Sequence, residues 1–528
     1  MSFNLIDEPW ILVQHEEGPR ELSLTQVFKE AAQIHGLSGE VPTMGFATLR
    51  LLLAICHDAI GWHSADAFTE LKDDGLDLNP IVGYLEEWRH RFDLFHPERP
   101  FMQVADLRTA KDEHSGLEKL IADVPNGAQF FTTRAGRGLE EISAAEAARW
   151  LVNVQAYDPS GIRSGAVGDP LVKNGRGYPI GTAWCGQLGG VVIHGRDLRE
   201  TLQFNLTQTS GGEADRPCWT TAEAQTAVRL GEAIPAGVVQ VLTWQSRRVR
   251  LVGDRTGVTG LVLAQGDRLY PQNMFDLEHM SGWRYSKPQS KKFGRTVYMP
   301  NEHEPGRALW RGLPAIIAPD SRTVEDRGGE FASHLQPRTL QSLSDEVDTF
   351  VLQSIGMAYG PQSATTEEII DDRLELHASL LTEDAVEVRA LTEDAVSNAD
   401  RCVRLLGQLA ANLARAAGEK GDSAGEGARQ RVVAEAWAGL DQSARRWVGE
   451  LTVDSDIVET KRKWQATVDQ LVRHLGDRQV GQAGPAAMRG RSTSFGFVSA
   501  PLAQSWFLRD LRKELSLIYP SAKEAKSA

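Results

Sequence analysis

From residue 402 onward the apolar residues recur at steps of three and four, and this periodicity limits the fold more than any other feature of the chain. Cys402, Leu406, Leu409 and Leu413 share one helical face, and Val433, Trp437, Leu440, Ala444, Trp447 and Leu451 form a second. Ile457, Trp464, Val468, Leu471 and Leu475 supply a third, and Leu508, Leu511, Leu515 and Ile518 a fourth. An amphipathic helix must bury its stripe against a neighbour, so four of them predict a four-helix bundle. The connecting stretches, 418–429 and 476–500, are rich in Gly and polar residues and read as linkers. The hexapeptide Leu-Thr-Glu-Asp-Ala-Val occurs at 381–386 and again at 391–396. Two copies fall short of a repeat array, so the duplication reads as a lengthened acidic helix or linker.

The chain before this region is patterned differently. Leu5 to Val13 and Val238 to Leu251 are β-like runs, whereas Phe46 to Ile60 and Ile81 to Phe92 have helical spacing. Glycines crowd the stretch from Asp158 to Gly190, which favours irregular loops. At 528 residues the chain exceeds one ordinary core. The predicted class is α+β: a large mixed α/β domain with irregular loops over 1–365, then a C-terminal four-helix bundle over 366–528. No run of 18 or more apolar residues and no basic-then-apolar N-terminal segment occurs, which predicts a cytoplasmic chain with no membrane span.

The common catalytic patterns are missing. There is no phosphate-binding Gly-x4-Gly-Lys-Ser/Thr, no His-Glu-x-x-His and no dinucleotide fingerprint. Cys56, Cys185, Cys218 and Cys402 are too scattered for paired zinc ligands and read as reduced structural thiols. The doublet His57-Asp58 belongs to a metal-dependent nuclease only if further ligands converge on it, and otherwise is the end of a helix. His90 and His96 fall on different helical faces, so they share no metal. Ser164 lies among glycines, but Gly161-Ile162-Arg163-Ser164-Gly165 lacks the spacing of a hydrolase nucleophile elbow. The expectation is a chain that is not an enzyme and needs no cofactor, with a stand-alone nuclease or serine hydrolase as the rival class.

A formal net charge of −14 argues against a protein that coats nucleic acid unaided. The cations are nevertheless segregated: Arg284, Lys287, Lys291, Lys292 and Arg295 fall in one acid-free stretch that reads as a loop around Pro288 and Gly294. Such a run is either a solvated face or a contact to phosphate. The segment 126–138 offers Phe130, Phe131, Thr132, Thr133, Arg134 and Arg137, suited to stacking and phosphate contact or else to anchoring an ordinary loop. The small residues of Ser160 to Ala166 fit a backbone that enters a minor groove, or a tight surface turn. Taken alone, Gly360-Pro361-Gln362-Ser363 says only that the chain turns.

Read with the opening Asn4-Leu5-Ile6-Asp7-Glu8-Pro9-Trp10-Ile11, the segment Tyr359-Gly-Pro-Gln-Ser363 resembles the large subunit of the type I-E CRISPR surveillance complex Cascade, the CasA family. Similar segments follow in the same order at His96 to Gln103, Leu117 to Ala122, Gly195 to Arg199 and Ile234 to Ala236, so the resemblance spans essentially the whole chain. It implies a subunit that recognises the protospacer-adjacent motif (PAM) in duplex DNA, largely from the minor groove. It also implies strand separation to start an R-loop, and recruitment of a helicase-nuclease. The implied partners are the other Cascade subunits with crRNA, the target duplex and its displaced strand.

The resemblance extends to individual positions. Phe131, Thr132 and Thr133 match the loop that contacts the RNA 5′ end and the motif region. Gly161, Ser164, Gly165 and Ala166 match the glycine loop, which here carries Ile162, Arg163 and Ser164. Gln362 with Ser363 matches the glutamine wedge, and Lys291 with Lys292 a basic pair that guides the displaced strand. Arg268 is the cation nearest the position of the lysine finger, beside Asp267, with Arg284 or Lys287 as alternatives. In the bundle, Arg445, Arg446, Lys461, Arg462, Lys463 and Arg473 are the candidate cations for the displaced strand. A purely structural crRNA-holding subunit remains a third reading.

Overall fold

The structure is a computed structural model that describes residues 2–61, 75–124, 140–209, 212–229, 231, 233–317, 323–326, 329–343, 347–421, 423–493 and 496–520. It divides into two compact units, one of residues 1–307 and 322–373, the other of residues 308–321 and 374–528.

In the first unit the opening run is not strand throughout. The Asn4 carbonyl accepts from the backbone N–H of Asp7 at 3.1 Å and Glu8 at 2.9 Å, folding Leu5 to Asp7 into a turn that Pro9 ends. Trp10 is fully buried and donates its ring N–H to the Leu5 carbonyl at 3.0 Å. Strand β1 (Ile11–His15) then pairs antiparallel with β2 (Gly18–Leu22) and β3 (Ile34–Leu37). Helix α1 (Pro42–Ile60) starts on Pro42 and stops at Gly61, whose φ of 69° provides a left-handed cap. By length and composition α1 is able to cross a membrane, but it is buried in the core, with Leu51 to Cys56 almost wholly covered. Its one buried cation, Arg50, is paired at 2.9 Å with Glu278, which also accepts from the Trp184 ring N–H at 2.7 Å. A buried charge persists only with such partners.

Helix α2 (Ala144–Tyr157) is capped by Ser143, whose side chain accepts from the Glu146 N–H at 3.1 Å. Beyond the glycine-rich stretch lies strand β4 (Gly190–His194). The β-like run from Val238 splits: Val238–Leu242 is a helical turn, and only β5 (Arg247–Asp254) is strand, paired with β6 (Gly257–Gln265). The correction has a local cause. The Asp215 carboxylate accepts from the N–H groups of Val239 at 3.2 Å and Gln240 at 2.9 Å, capping a turn whose own residues favour strand.

The basic stretch is also corrected. Helix α3 (Lys287–Phe293) occupies it, with Pro288 in the first turn and Gly294 at φ 71° closing it. Strands β7 (Thr349–Tyr359) and β8 (Thr366–His377) form a long hairpin, and β7 pairs with β4 on its other side.

The second unit contains the expected bundle: α4 (Val386–Ala417), α5 (Glu426–Gly449), α6 (Ile457–Gly481) and α7 (Ala500–Glu514). Helix α4 packs against the other three. The buried line of α5 is Val432, Ala436, Leu440, Ala444 and Val448, one step from the expected face at several positions. Trp437 and Trp447 are half-buried beside it. Their bulk is taken up by neighbours: Trp437 lies 5.9 Å from Trp310, and Trp447 5.1 Å from the buried Trp464. Trp310 comes from the short helix Leu309–Gly312, in the mid-chain segment that joins this unit. On α7 the buried residues are Ala500, Ala503, Phe507 and Leu511, and Leu515 is buried at its end.

The stretch 476–500 is not a plain linker. It holds the end of α6, a short helix Pro485–Arg489 and the hairpin strands Arg491–Thr493 and Gly496–Val498. The two hexapeptide copies adopt different structures. The first lies in 3-10 turns leading into α4, and the second is α-helical within α4, where Leu391, Thr392 and Ala395 are buried.

Candidate nucleic-acid interface

The β7–β8 hairpin ends in a single tight turn. Pro361 opens it, the Gly360 N–H donates to the Thr365 carbonyl at 2.9 Å, and the Ser363 N–H donates to the Gly360 carbonyl at 2.8 Å. Gln362, with φ 58° and ψ 18°, and Ser363, with φ 54°, are consecutive left-handed residues, and the Gln362 side chain is exposed. Each non-glycine residue held there costs roughly 1–2 kcal/mol, so the tip is maintained by its surroundings. One support is Tyr359, whose buried hydroxyl donates to the Tyr157 carbonyl at 2.7 Å, across 202 residues of sequence.

A second support joins the two segments singled out from sequence. The Ser160 N–H donates to the Ser363 carbonyl at 2.7 Å, so the glycine loop and the hairpin tip touch. Beneath them, Asp158 accepts from Arg163 at 2.7 Å and from Arg247 at 2.5 Å, and all three side chains are buried. Burial lowers the Arg247 pKa, with Asp158 opposing the shift and Arg163 adding to it. Gln265 donates to the carbonyls of Gly161 at 2.9 Å and Gly177 at 3.3 Å.

The loop residues take distinct places. A Cβ on Gly161 would stand 2.8 Å from the Arg163 guanidinium, which curls back under its own loop. Ser164 lies in the two-residue strand Arg163–Ser164, paired with Arg176–Gly177, whereas a nucleophile elbow needs a sharp strand-to-helix turn. Gly165 crosses Gly175 so closely that a Cβ would stand 2.5 Å from its carbonyl atoms. Ala166 is buried with Val104, Leu107, Val262 and Ala264. Ile162 is the large apolar residue this loop exposes. Phe131, Thr132 and Thr133 lie outside the described residues.

The cations are dispersed. Lys291 and Lys292 are exposed on α3, and the exposed Lys287 lies 3.8 Å from Asp326. Arg268 is exposed, its guanidinium 4.7 Å above the Tyr270 ring. The neighbouring Asp267 is compensated by Arg248 at 2.9 Å and Arg229 at 3.3 Å. In the bundle unit, Arg445 pairs with Asp441 at 2.7 Å, Arg462 with Glu459 at 2.5 Å, Arg473 with Asp469 at 3.0 Å, and Lys461 with Asp394. Arg446 and Lys463 are exposed.

The groups on which an enzyme reading leans are engaged in packing. Asp58 lies 2.5 Å from Arg216 and accepts from the Tyr84 hydroxyl at 2.7 Å, and that hydroxyl accepts in turn from the Trp219 ring N–H at 2.7 Å. His57 is buried in the last turn of α1. Burial pushes the Cys185, Cys218 and Cys402 thiols up to about 12 and raises Cys56 as well, which keeps them protonated and unreactive.

Similarity to known proteins places the chain in a family. The family model described as CRISPR-associated protein Cse1 matches residues 4–475. The chain belongs to the Cse1 family. Cse1, also called CasA, is the large subunit of type I-E Cascade. The crystal structure of Thermobifida fusca Cse1 is similar at 42% identity and a TM-score of 0.87, covering 98% of each chain. That of Cse1 from Acidimicrobium ferrooxidans is similar at 27% identity and a TM-score of 0.80, again over 98% of each. A CasA/Cse1 protein of Thermus thermophilus is 28% identical over 79% of this chain and 78% of its own length.

Sequence reasoning named the glycine loop and the tip, but it missed Asp158, Arg247 and Gln265, which carry them. Nothing local to those residues signals the role. Asp158 and Arg247 meet only because α2 ends where β5 begins its hairpin.

Proposed function

We propose that this Cse1 chain recognises the PAM in duplex DNA mainly through the minor groove, splits the adjacent base pair with Gln362, and so lets crRNA capture the target strand. The observation that carries this is the hydrogen bond between Ser160 and Ser363, which sets an exposed amide on a stiff tip directly beside a loop of small residues. A narrow groove admits backbone and small side chains, and a planar amide next to it can replace the hydrogen bonds of a parted pair. Exchange of one duplex for another of similar stability is nearly balanced, so contacts of a few kcal/mol at the fork decide whether it starts.

In this scheme the N-terminal 1–365 region binds the PAM and docks on the crRNA-bearing backbone. The 366–528 bundle holds the displaced strand and meets the small subunits. Lys291 and Lys292 guide that strand, Arg268 supplies a cation near the groove, and the helicase-nuclease docks on this subunit to perform cleavage. The chain itself acts as a structural, non-catalytic subunit. A chain of net charge −14 needs crRNA and the other Cascade subunits for most of its affinity.

The deciding experiment is R-loop formation by reconstituted complex carrying Gln362→Ala. Its yield on relaxed DNA is expected to fall about tenfold, with partial recovery under negative supercoiling. An unchanged yield on relaxed DNA removes the wedge role. Changing Lys291 and Lys292 to Glu is expected to weaken nuclease protection of the displaced strand while leaving the target strand protected.

A further inference from the structure

Asp158, Arg163 and Arg247 have no part in the scheme above, yet they meet directly beneath the two segments it uses. Asp158 immediately follows the last residue of α2, and Arg247 opens β5, so both come from rigid elements. Beyond Asp158, the Arg163 guanidinium donates to the Pro159 carbonyl at 2.5 Å. Arg247 donates to the carbonyls of Pro159 at 3.2 Å and Gly181 at 2.8 Å. The Asp158 carbonyl accepts from the Ala183 N–H at 2.8 Å. The backbone from 158 to 160 is thereby held on several sides, and its next polar group, the Ser160 N–H, is the one bonded to Ser363.

We propose that Asp158, Arg163 and Arg247 are positioning residues that fix the glycine loop and the Gln362 tip in one register for duplex entry, a role that follows only if loop and tip are the DNA-contacting pair proposed above. A buried ion cluster gains little net stability over apolar side chains of the same volume, so its effect is in the geometry it specifies. Guanidinium forks suit that task, because each is planar and bonds a carboxylate and a carbonyl at fixed angles. Gly161 belongs to the device as well, since only a residue without Cβ leaves room for the Arg163 guanidinium behind the loop. The Ile162-Arg163-Ser164 segment of the loop is thus partly an internal strut.

The test uses assembled complex carrying Arg163→Met or Arg163→Lys, with two target duplexes. One is fully paired, and the other is mismatched over the first pairs beside the motif so that no splitting is needed. R-loop initiation by Arg163→Met is expected to slow about tenfold on the paired duplex and to stay within about twofold of the unmodified complex on the pre-opened one. Arg163→Lys, which keeps the charge but not the fork, is expected to lie between, with its loss again confined to the paired duplex. Equal loss on both duplexes overturns the proposal, as does no loss on the paired one. If Arg163→Met does not assemble, the same comparison is made with Arg163→Lys. Gln362→Ala, run alongside, separates the two levels. If it leaves paired-duplex initiation unchanged, the wedge itself falls. If it slows initiation while Arg163→Met does not, only the positioning role falls.

Discussion

The two glycines of the loop are constrained by different neighbours, and a single methyl group distinguishes them. At Gly165 the obstruction is the Gly175 carbonyl, fixed by the bond from the Gly165 N–H at 3.1 Å, and at Gly161 it is the Arg163 guanidinium, itself tied to Asp158 and the Pro159 carbonyl. Backbone yields less readily than the end of a side chain, so Gly165→Ala is expected to cost about 1–3 kcal/mol and Gly161→Ala less than that. Equilibrium urea unfolding of the two variants checks the order, and equal costs would show that the strand crossing relaxes freely. At this scale the sequence was legible only as a choice. Glycine spacing suggested either a groove-entering loop or a tight turn, and the structure divides the segment into a packed part and an exposed part. Gly165 and Ala166 are spent on packing, while Gly161 and Ile162 remain at the surface. The Pro361-Gln362 tip read as a turn because proline fixes its own φ, but the strained φ values of Gln362 and Ser363 depend on Tyr157 and Ser160, which lie far away in the chain.

Elements with a strong period were readable, and short ones were not. The stripes of α4 and α6 predicted their buried faces because Cys402, Leu406, Leu409 and Leu413, or Trp464, Val468 and Leu475, pack directly against other helices. The face of α5 was displaced because Trp437 and Trp447 were counted as core, when they flank it. Their partner Trp310 belongs to a four-residue helix that no periodicity can announce. The Val238 run shows the complementary failure, a β-prone sequence held helical by the distant Asp215. Trp464 is where the bundle unit concentrates its aromatic packing. It is 1% exposed, donates to the Ala395 carbonyl at 3.0 Å, and lies 5.8 Å from Trp310 and 5.1 Å from Trp447. Trp464→Ala is expected to cost about 3–5 kcal/mol. Trp464→Phe keeps most of the ring but loses this second bond to a carbonyl that α4 already engages, and about 0.5–1.5 kcal/mol is expected. Tryptophan-fluorescence denaturation of the two variants measures the difference, and equal losses would mean that the ring contributes little beyond its hydrogen bond.

At the scale of the whole molecule, the unit that carries the candidate interface is also the one that acid should loosen. Its histidines His194 and His303, half-buried, and His279, buried, all have lowered pKa values, in each case chiefly because desolvation disfavours the charged ring. Their ring nitrogens are already committed: His194 to Gln353 at 2.8 Å, His279 to Thr207 at 2.7 Å and His303 to the Gly190 carbonyl at 2.8 Å. Above the ordinary value of 6.5 both folded and unfolded chains hold these rings neutral. As pH falls below 6.5 the unfolded chain takes up protons that the folded chain refuses, so stability declines until the folded values are passed. Glu278 adds a second, lower window. Burial alone would raise its pKa, but Arg50 and the Trp184 ring N–H reverse that and hold it below 4.5. Its contribution is complete above 4.5 and is lost as pH falls through the folded value. Thermal unfolding of the full chain is therefore expected to show a midpoint that is level above pH 7, falls once pH drops below 6.5, and falls again below 4.5. His303→Gln, which preserves a donor toward Gly190 without a titrating ring, is expected to shrink the first drop and leave the second intact. A midpoint that is flat from pH 7 to 5 would show that the rings protonate without unfolding, and that burial at β4 and β7 imposes no penalty on a charged imidazole.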